Sequence, residues 1–227
     1  MTNPAAVAFD LDGTLVDTLE DLAHATEEAL RLSGYGRPDG QPRHPLEAYR
    51  RFVGNGARRL IERAAGETVG AAQVDALLET FVRVYDRDCL LYTKPYPGIP
   101  ELIEALECSG YRMVVVTNKP EEQAVKILRH FFPRNPFACV CGGRAGRRHK
   151  PDPAALLETL AAAGADPGRT LYVGDSDVDV MTAHNAGLPC AGAVWGFRGA
   201  AELAAAGADV LLFQPADLFA ALKQRNL

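Results

Sequence analysis

The segment that decides the fold is VAFDLDGTLVDT, which runs from Val7 to Thr18. It begins as a short apolar strand and then presents two aspartates, Asp10 and Asp12, followed by a glycine and a threonine. Neighbouring carboxylates raise each other's pKa and cost stability unless a cation lies between them or one holds a proton. A structural Asx-turn is the alternative interpretation. The segment therefore predicts a buried strand that ends in a chemically active turn.

Length and composition fit a soluble α/β protein. The chain has 227 residues and a formal net charge of -5, which suits one elaborated domain or two small ones. The net negative charge provides no overall positive potential that would attract nucleic acid. No apolar run approaches the roughly 20 residues that are needed to span a bilayer. The amino terminus does not resemble a signal peptide, so a cytoplasmic location is expected. The basic run Arg144–Lys150 is interpreted as a solvated loop.

The pattern of apolar residues changes twice along the chain. From Thr18 to Tyr92 it is helical, with a capped first helix and further helices over Leu46–Ala65 and Ala71–Leu91. After the breaker KPYPG, strands and helices alternate, which predicts a parallel sheet covered on both faces. The predicted fold is α/β, a Rossmann-like doubly wound parallel sheet with an inserted all-α cap domain. The core comprises residues 1–16 and 94–227, and the cap comprises residues 17–93.

Polar residues follow the predicted strands. Asp10 and Asp12 end the first strand, Thr117-Asn118-Lys119 ends the second, and GDSDVD from Gly174 to Asp179 ends the fourth. A loop that reaches Lys150 follows the third strand. Parallel topology brings these ends to one edge of the sheet, where ligands bind. Acids gathered there repel one another, so a divalent cation is implied, and oxygen ligands favour Mg²⁺.

These motifs, in this order, resemble those of the haloacid dehalogenase-like superfamily: DLDGT, a strand-ending TN, KPDP and GDSDVD. The helical insert directly after the first motif resembles the subclass with an α-helical cap. The resemblance implies Mg²⁺-dependent hydrolysis of a small phosphate monoester through an aspartyl-phosphate. The segments FVGNGARRLIERA, YVGDSDVDVMTAHNAG and WGFR are similar to the subgroup that acts on 2-phosphoglycolate.

The resemblance also implies roles for the acids. Asp10 is expected to be the nucleophile and a metal ligand. Asp12 is expected to be the general acid and base, and to touch the metal only through its backbone carbonyl. Asp175 is expected to complete the metal site. One carboxylate is then paired with the cation and the other carries a proton, a division of labour seen where two acids have separated pKa values.

The other motif residues are expected to hold the phosphoryl group. Thr117 would bind it through its hydroxyl, and Asn118 and Gly13 through close backbone approach. Lys150 would neutralise charge on the phosphoryl group and on the nucleophile. Asp179 would support Lys150 or a metal-bound water. Each residue also has a purely structural interpretation, either as a helix cap or as a solvated loop lysine.

The helical cap offers further candidates for substrate binding. Asn55 and Gly56 lie in a GNG turn whose small residues and exposed amides suit a short anionic substrate. Arg58 is either a partner for a carboxylate or an exposed helix arginine. Arg144 stands where the subgroup often has an acidic residue, which leaves the exact substrate open.

Three classes of function therefore compete. The leading one is hydrolysis of 2-phosphoglycolate, with another sugar phosphate, pyrophosphate or nucleotide as a variant of it. The second is a phosphomutase of the β-phosphoglucomutase type, and the third is a non-catalytic phosphate-binding regulator. The expected partner is a small phosphorylated metabolite, with no nucleic acid or membrane, and the sequence leaves monomer and homodimer open.

Overall fold

The computed structural model describes residues 5–226. The chain divides into two compact units, one formed by Met1–Asp17 with Pro95–Leu227 and the other by Thr18–Lys94. The predicted helical segment, residues 17–93, begins and ends one residue earlier than the second unit. Among residues 5–226, none of the helices combines the length and apolar character that a membrane crossing demands.

The first unit is built on a six-stranded sheet in the order β5-β4-β1-β6-β7-β8, and all its neighbouring strands are parallel. This confirms the predicted doubly wound α/β fold. The strands of this sheet are β1 (Ala6–Phe9), β4 (Arg112–Pro120), β5 (Phe137–Gly143), β6 (Thr170–Gly174), β7 (Cys190–Ala193) and β8 (Val210–Leu212). The short strands β2 (Val16–Asp17) and β3 (Lys94–Pro95) form a separate two-stranded sheet.

Helices connect the strands. The second unit contains α1 (Leu19–Leu32), α2 (Leu46–Phe52), α3 (Ala57–Ala65) and α4 (Ala71–Asp88). The first unit contains α5 (Ile99–Cys108), α6 (Glu121–Phe131), α7 (Ala154–Ala162), α8 (Asp177–Asn185), α9 (Gly199–Ala206) and α10 (Asp217–Gln224), and a 3₁₀ turn at Pro167–Arg169.

Strand β1 lies in the middle of the sheet because all four of its residues are apolar and fully buried. It pairs with β4 on one side and with β6 on the other. The Asp10 amide donates to the Val173 carbonyl at 2.9 Å, so the ladder continues to the first acid. Asp10 therefore leaves the sheet at the point where the strand order reverses, which is where doubly wound sheets bind ligands.

One face of the sheet is covered by α7, α8 and α9. Leu156, Leu160, Val180 and Leu203 from these helices belong to a buried cluster that includes Tyr172 of β6. Full burial of such a side chain stabilises the fold by about 1.5–3 kcal/mol. This packing fixes β6, and with it the acids that follow the strand.

The helical unit differs from its predicted elements in three places. The single helix expected over Leu46–Ala65 is divided into α2 and α3, because Gly54 and Gly56 adopt φ values of 114° and 85°. The helix expected to reach Leu91 ends at Asp88. Thr18 precedes α1 as predicted, but its side chain makes no capping hydrogen bond.

Two carboxylates of α1, the half-buried Glu27 and the buried Asp21, join the helices of this unit to its connecting segments. Glu27 of α1 accepts hydrogen bonds from the Arg43 and His44 amides and from the Tyr49 hydroxyl. Asp21 of α1 is fully buried and accepts from the Tyr92 amide at 3.0 Å and from the amide and hydroxyl of Thr93 at 2.9 and 2.6 Å. Asp21 thus ties the start of the unit to its end.

Replacement of Asp21 by alanine should lower the free energy of unfolding by at least about 2 kcal/mol. The substitution leaves several donors without an acceptor, and each buried donor left unsatisfied costs about 1–3 kcal/mol. Urea denaturation followed by circular dichroism measures the loss. The neighbouring Glu20→Ala is the control, since Glu20 is exposed. Equal stability of the Asp21→Ala variant and the control would contradict the assigned role.

Candidate active site

The carboxyl ends of β1, β4 and β6 bring the predicted motif residues together. Asp10 follows β1, Thr117 lies in the last part of β4, and Asp175 follows β6. Each of these residues is buried, as is Lys150, which comes from the loop between β5 and α7. The sheet thus gathers residues that are more than one hundred positions apart in the sequence.

Lys150 is the central cation of this site. Its Nζ lies 2.9 Å from Asp10 Oδ1 and 2.7 Å from Asp179 Oδ1, and it donates to the Tyr172 hydroxyl at 3.1 Å. The backbone of Lys150 is held by the Asn118 side chain, which accepts from the Lys150 amide at 2.8 Å and donates to its carbonyl at 3.1 Å. Asn118, which directly follows Thr117 in the sequence, therefore positions Lys150.

Asp179 supports this cation from α8. Its Oδ2 accepts from the amides of Asp175 and Ser176 at 3.2 and 3.1 Å and from the Ser176 hydroxyl at 2.7 Å. Its Oδ1 receives Lys150 and the Tyr172 hydroxyl. Protein donors thus engage both oxygens of a fully buried carboxylate. Ser176, and not Asp175, is the N-cap of α8, whereas Asp179 is a first-turn acid and completes the capping box.

Asp175 is held between the first and fourth motifs. Its Oδ1 accepts from the Thr14 hydroxyl at 3.3 Å, and its Oδ2 accepts from the Phe197 amide at 2.7 Å. Trp195 Nε1 donates in turn to the Thr14 carbonyl at 3.0 Å. The Trp195–Phe197 segment therefore orients Asp175 through its backbone, a role for which no residue of that segment was singled out from the sequence.

Two glycines allow this close packing. A Cβ atom at Gly13 would lie 2.3 Å from Asp175 Oδ2, and Gly13 has a φ of 83°. A Cβ atom at Gly196 would lie 2.3 Å from the Asp175 Cβ and 2.4 Å from the Gly13 carbonyl oxygen. Asp175 is thus enclosed by backbone on both sides, which leaves its carboxylate little freedom to turn.

Three carboxylates of the site offer one oxygen each within 4.8 Å of one another: Asp10, Asp175 and Asp179. Burial raises the pKa of Asp10 from 3.8 to about 7, although the nearby Lys150 opposes the shift. Burial likewise raises the pKa of Asp175 well above 3.8. Burial alone would lower the pKa of Lys150, but Asp10 and Asp179 hold it well above its usual value.

The charge balance of the site fits a divalent cation. Its four carboxylates, including Asp12, exceed its two ammonium groups, Lys119 and Lys150, by two formal charges. Among the side chains of residues 5–226, Asp10 Oδ1 is also the buried polar atom with no aligned hydrogen-bond donor, although Lys150 Nζ is near. Oxygen donors and this charge suit Mg²⁺.

Lys119 is an ammonium group of the site that received no predicted role. Its Nζ lies 2.8 Å from Asp12 Oδ1, and the two side chains are 2% and 12% exposed. The Lys119 amide donates to the Thr117 hydroxyl oxygen at 3.2 Å. The sequence feature that points to Lys119 as a site residue is its position directly after Thr117-Asn118 at a strand end.

The remaining candidates are placed elsewhere in the chain. Within the helical unit, Asn55 Oδ1 accepts from Arg63 at 2.8 Å, and Gly56 precedes α3. Arg58 is about half exposed and contacts the carboxylates of Asp75 and Glu62. In the first unit, Arg144 is exposed in the loop after β5, but the solvated loop predicted over Arg144–Lys150 is wrong at its end, because Lys150 is buried in the site.

The fold is doubly wound α/β, and its buried acids and lysine lie at the switch point, where sheets of this kind bind ligands. Residues 7–193 match the family model described as haloacid dehalogenase-like hydrolase. This chain belongs to that family, which confirms the resemblance found in the sequence.

Several relatives share most of the chain. It is 38% identical over 200 residues to phosphoglycolate phosphatase 1 of Pseudomonas aeruginosa, covering 86% of this chain and 71% of the relative. It is 35% identical over 217 residues to a phosphoglycolate phosphatase of Aquifex aeolicus, covering 93% of both chains. The crystal structure of a predicted phosphoglycolate phosphatase from Haemophilus somnus 129PT matches with a TM-score of 0.84 and 29% identity, covering 97% of this chain and 99% of that one.

Mg²⁺ should raise the melting temperature of the metal-free protein by about 5–10 °C at a concentration near one hundred times its Kd. The effect should be larger at pH 8 than at pH 6. The pKa of Asp10 is raised from 3.8 to about 7, so the protonated side chain stabilises the metal-free fold at low pH. This contribution to stability is lost as the pH rises through about 7. Above that pH the Asp10 carboxylate is ionised, so Mg²⁺ does not have to displace a proton from it.

Thermal melts of Asp175→Asn test whether this shift comes from the site. The variant should lose most of the Mg²⁺-induced shift, because it removes one negative charge beside Asp10. Asp177→Asn is the matched control, since Asp177 begins α8 without belonging to the carboxylate cluster. An equal shift in wild type and Asp175→Asn would rule out this metal site.

Gly196→Ala should raise the Mg²⁺ concentration that gives half-maximal activity and lower the free energy of unfolding by about 1–3 kcal/mol. The added methyl group forces the backbone away from Asp175 and Gly13. A Mg²⁺ titration of activity, together with urea denaturation, separates the two effects. Gly168→Ala, in the exposed 3₁₀ turn, provides the comparison. Wild-type behaviour of Gly196→Ala would show that the 195–197 segment does not hold Asp175.

Proposed function

We propose that this protein is a Mg²⁺-dependent phosphoric monoester hydrolase that converts 2-phosphoglycolate into glycolate and phosphate. The observation that carries the proposal is the buried Asp10 carboxylate beside Lys150 at the centre of a doubly wound sheet. The phosphoglycolate phosphatases of Pseudomonas aeruginosa and Aquifex aeolicus support the substrate, since both cover most of this chain.

In the first step, Asp10 attacks phosphorus. A bond forms between a carboxylate oxygen of Asp10 and phosphorus, and the bond from phosphorus to the ester oxygen breaks. Asp12 donates a proton to the departing oxygen, so that glycolate leaves as an alcohol. When bound, Mg²⁺ would neutralise charge on the phosphoryl oxygens and on Asp10, held by the Asp10 and Asp175 side chains and the Asp12 carbonyl.

In the second step, water attacks the phosphorus of the aspartyl-phosphate. Asp12, now ionised, removes a proton from that water, and the bond from phosphorus to Asp10 breaks. Phosphate leaves with the new oxygen, and both aspartates return to their initial states. The same residue serves as acid and then as base, which is why one side chain must be able to hold a proton.

The other residues of the site would stabilise the charge on the transferring group. Lys150 lies beside the attacking carboxylate and would meet the phosphoryl oxygens there. Thr117 and the backbone at Asn118 and Gly13 would bind the remaining oxygens. Loss of one such electrostatic contact commonly lowers kcat by about 10²–10³. Asp179 would act through Lys150, because protein donors already engage both of its oxygens.

Location and assembly stay as expected from the sequence. We infer a cytoplasmic enzyme that acts on a small phosphorylated metabolite without nucleic acid or membrane. The protein is expected to be a monomer or a homodimer, and Asn55, Gly56, Arg58 and Arg144 are proposed to contribute to substrate choice.

Phosphate release from a panel of esters tests the proposal. The panel contains 2-phosphoglycolate, a sugar phosphate, pyrophosphate and a nucleotide, each with Mg²⁺ or with EDTA. 2-Phosphoglycolate should have the highest kcat/KM, and EDTA should abolish release. Asp10→Asn should lower kcat at least about a thousandfold, because the nucleophile is lost. Asp39→Asn is the control, since Asp39 is an exposed residue of the helical unit.

Four outcomes would contradict parts of the proposal. A metal- and Asp10-dependent preference for another ester would retain the mechanism and reject the substrate. Phosphate release that requires an added sugar bisphosphate would favour the phosphomutase. Full activity of Asp10→Asn would reject the nucleophile, and no release from any ester would favour a phosphate-binding regulator.

A further inference from the structure

Lys119, which pairs with Asp12, is the charged residue of the site that the proposed mechanism does not use. Lys119 Nζ lies 2.8 Å from Asp12 Oδ1, and only 2% of its side chain is exposed. Lysine is rarely this buried, because its ammonium group must give up its hydration. The nucleophile already has its own cation in Lys150. Lys119 instead pairs with Asp12, so its charge acts at a different place in the site from that of Lys150.

We propose that Lys119 binds the carboxylate of the substrate and thereby selects phosphate esters of 2-hydroxy acids. This inference rests on the proposed function, because it assigns a specificity-determining residue to the same reaction. It places recognition of the leaving group in the sheet-based unit, at the end of β4.

The position of the leaving group supports this assignment. A general acid must lie within hydrogen-bond reach of the oxygen that it protonates, so the ester oxygen has to approach the Asp12 carboxylate. In 2-phosphoglycolate, a single CH₂ group separates that oxygen from the carboxylate. Because the Lys119 ammonium contacts the same Asp12 carboxylate, it lies on the leaving-group side of the site.

The two lysines, Lys119 and Lys150, also differ in the negative charge that each would balance. The phosphoryl group would be met by Lys150 and the divalent cation, while the substrate carboxylate brings one further negative charge into a buried acidic site. A charge-assisted contact is strong in such surroundings, where water is largely absent. Lys119 is the ammonium group beside the acid that serves the leaving group, so it is suited to balance this extra charge.

The backbone of Lys119 is also well held. Its amide donates to the Thr117 hydroxyl oxygen at 3.2 Å, and both residues belong to β4. By contrast, Arg58, the carboxylate partner considered from the sequence, is about half exposed and already contacts Asp75 and Glu62. A buried lysine that is already held in place loses less conformational freedom on binding than an exposed arginine does.

A pair of esters that differ only in the carboxylate tests the proposal. Ethyl phosphate has a methyl group where 2-phosphoglycolate has its carboxylate. The measured quantity is the ratio of kcat/KM for 2-phosphoglycolate to that for ethyl phosphate. In Lys119→Met this ratio should fall about 10- to 100-fold relative to wild type, as expected for loss of one charge-assisted contact. Lys119→Arg should retain a larger share of the ratio than Lys119→Met.

Binding of phosphonates gives a second readout that does not depend on proton transfer by Asp12. 3-Phosphonopropionate resembles 2-phosphoglycolate with a CH₂ group in place of the ester oxygen, and propylphosphonate lacks its carboxylate. Wild type should bind the first more tightly than the second, as judged by inhibition constants in the presence of Mg²⁺. Lys119→Met and Lys119→Gln should reduce this preference, whereas Lys223→Met, on the exposed side of α10, should keep it.

The outcomes separate this inference from the proposed function. If both esters lose kcat/KM equally in the Lys119 variants and the phosphonate preference is unchanged, Lys119 acts only through Asp12 and the inference is wrong. If Arg58→Gln and not Lys119→Met abolishes the preference, the carboxylate is bound by the helical unit. In both cases the proposed function stands. Absence of any preference for 2-phosphoglycolate in wild type would instead reject the substrate itself.

Discussion

The ion pairs of Lys150 with Asp10 and Asp179 are the constraint on which the site depends. All three side chains are buried, and the lysine links a loop, the end of β1 and α8. Loss of one partner from such a pair typically costs about 3–5 kcal/mol, because the remaining charge has lost both its partner and its water. Surrounding contacts strengthen this arrangement, because Asn118 accepts from the Lys150 amide and the Tyr172 hydroxyl donates to Asp179.

The excess of acids over lysines connects stability to chemistry. Burial raises the pKa of Asp10 and Asp175, so these side chains favour the protonated form when no cation balances their charge. A nucleophilic carboxylate must be ionised, and a divalent cation supplies the charge that permits ionisation without a proton. The same electrostatic imbalance that disfavours the metal-free site thus prepares it for a cation and a phosphoryl group. Asp12 stands apart from this cluster because its side chain pairs with Lys119.

The two units contribute differently to the candidate site. The acids, lysines and hydroxyl groups that carry the proposed chemistry all belong to the sheet-based unit. In the helical unit, Asn55 and Arg58 have partners within their own unit, Arg63 for the first and Asp75 with Glu62 for the second. If Lys119 recognises the substrate carboxylate, discrimination between leaving groups begins next to the acid that protonates them.

The sequence by itself determined the fold class, the helical insert and most of the motif residues, because apolar strands that end in acids are readable from local periodicity. The tertiary structure decided which side chains of the site pair with one another. Asp12 pairs with Lys119, and Asn118 holds the backbone of Lys150, across separations of 107 and 32 residues. Gly196, which follows β7, lies against Asp175, which follows β6, because these two strands pair in the sheet. Such contacts depend on strand order and register, which local sequence patterns do not encode, whereas burial and charge type follow from each residue's own chemistry.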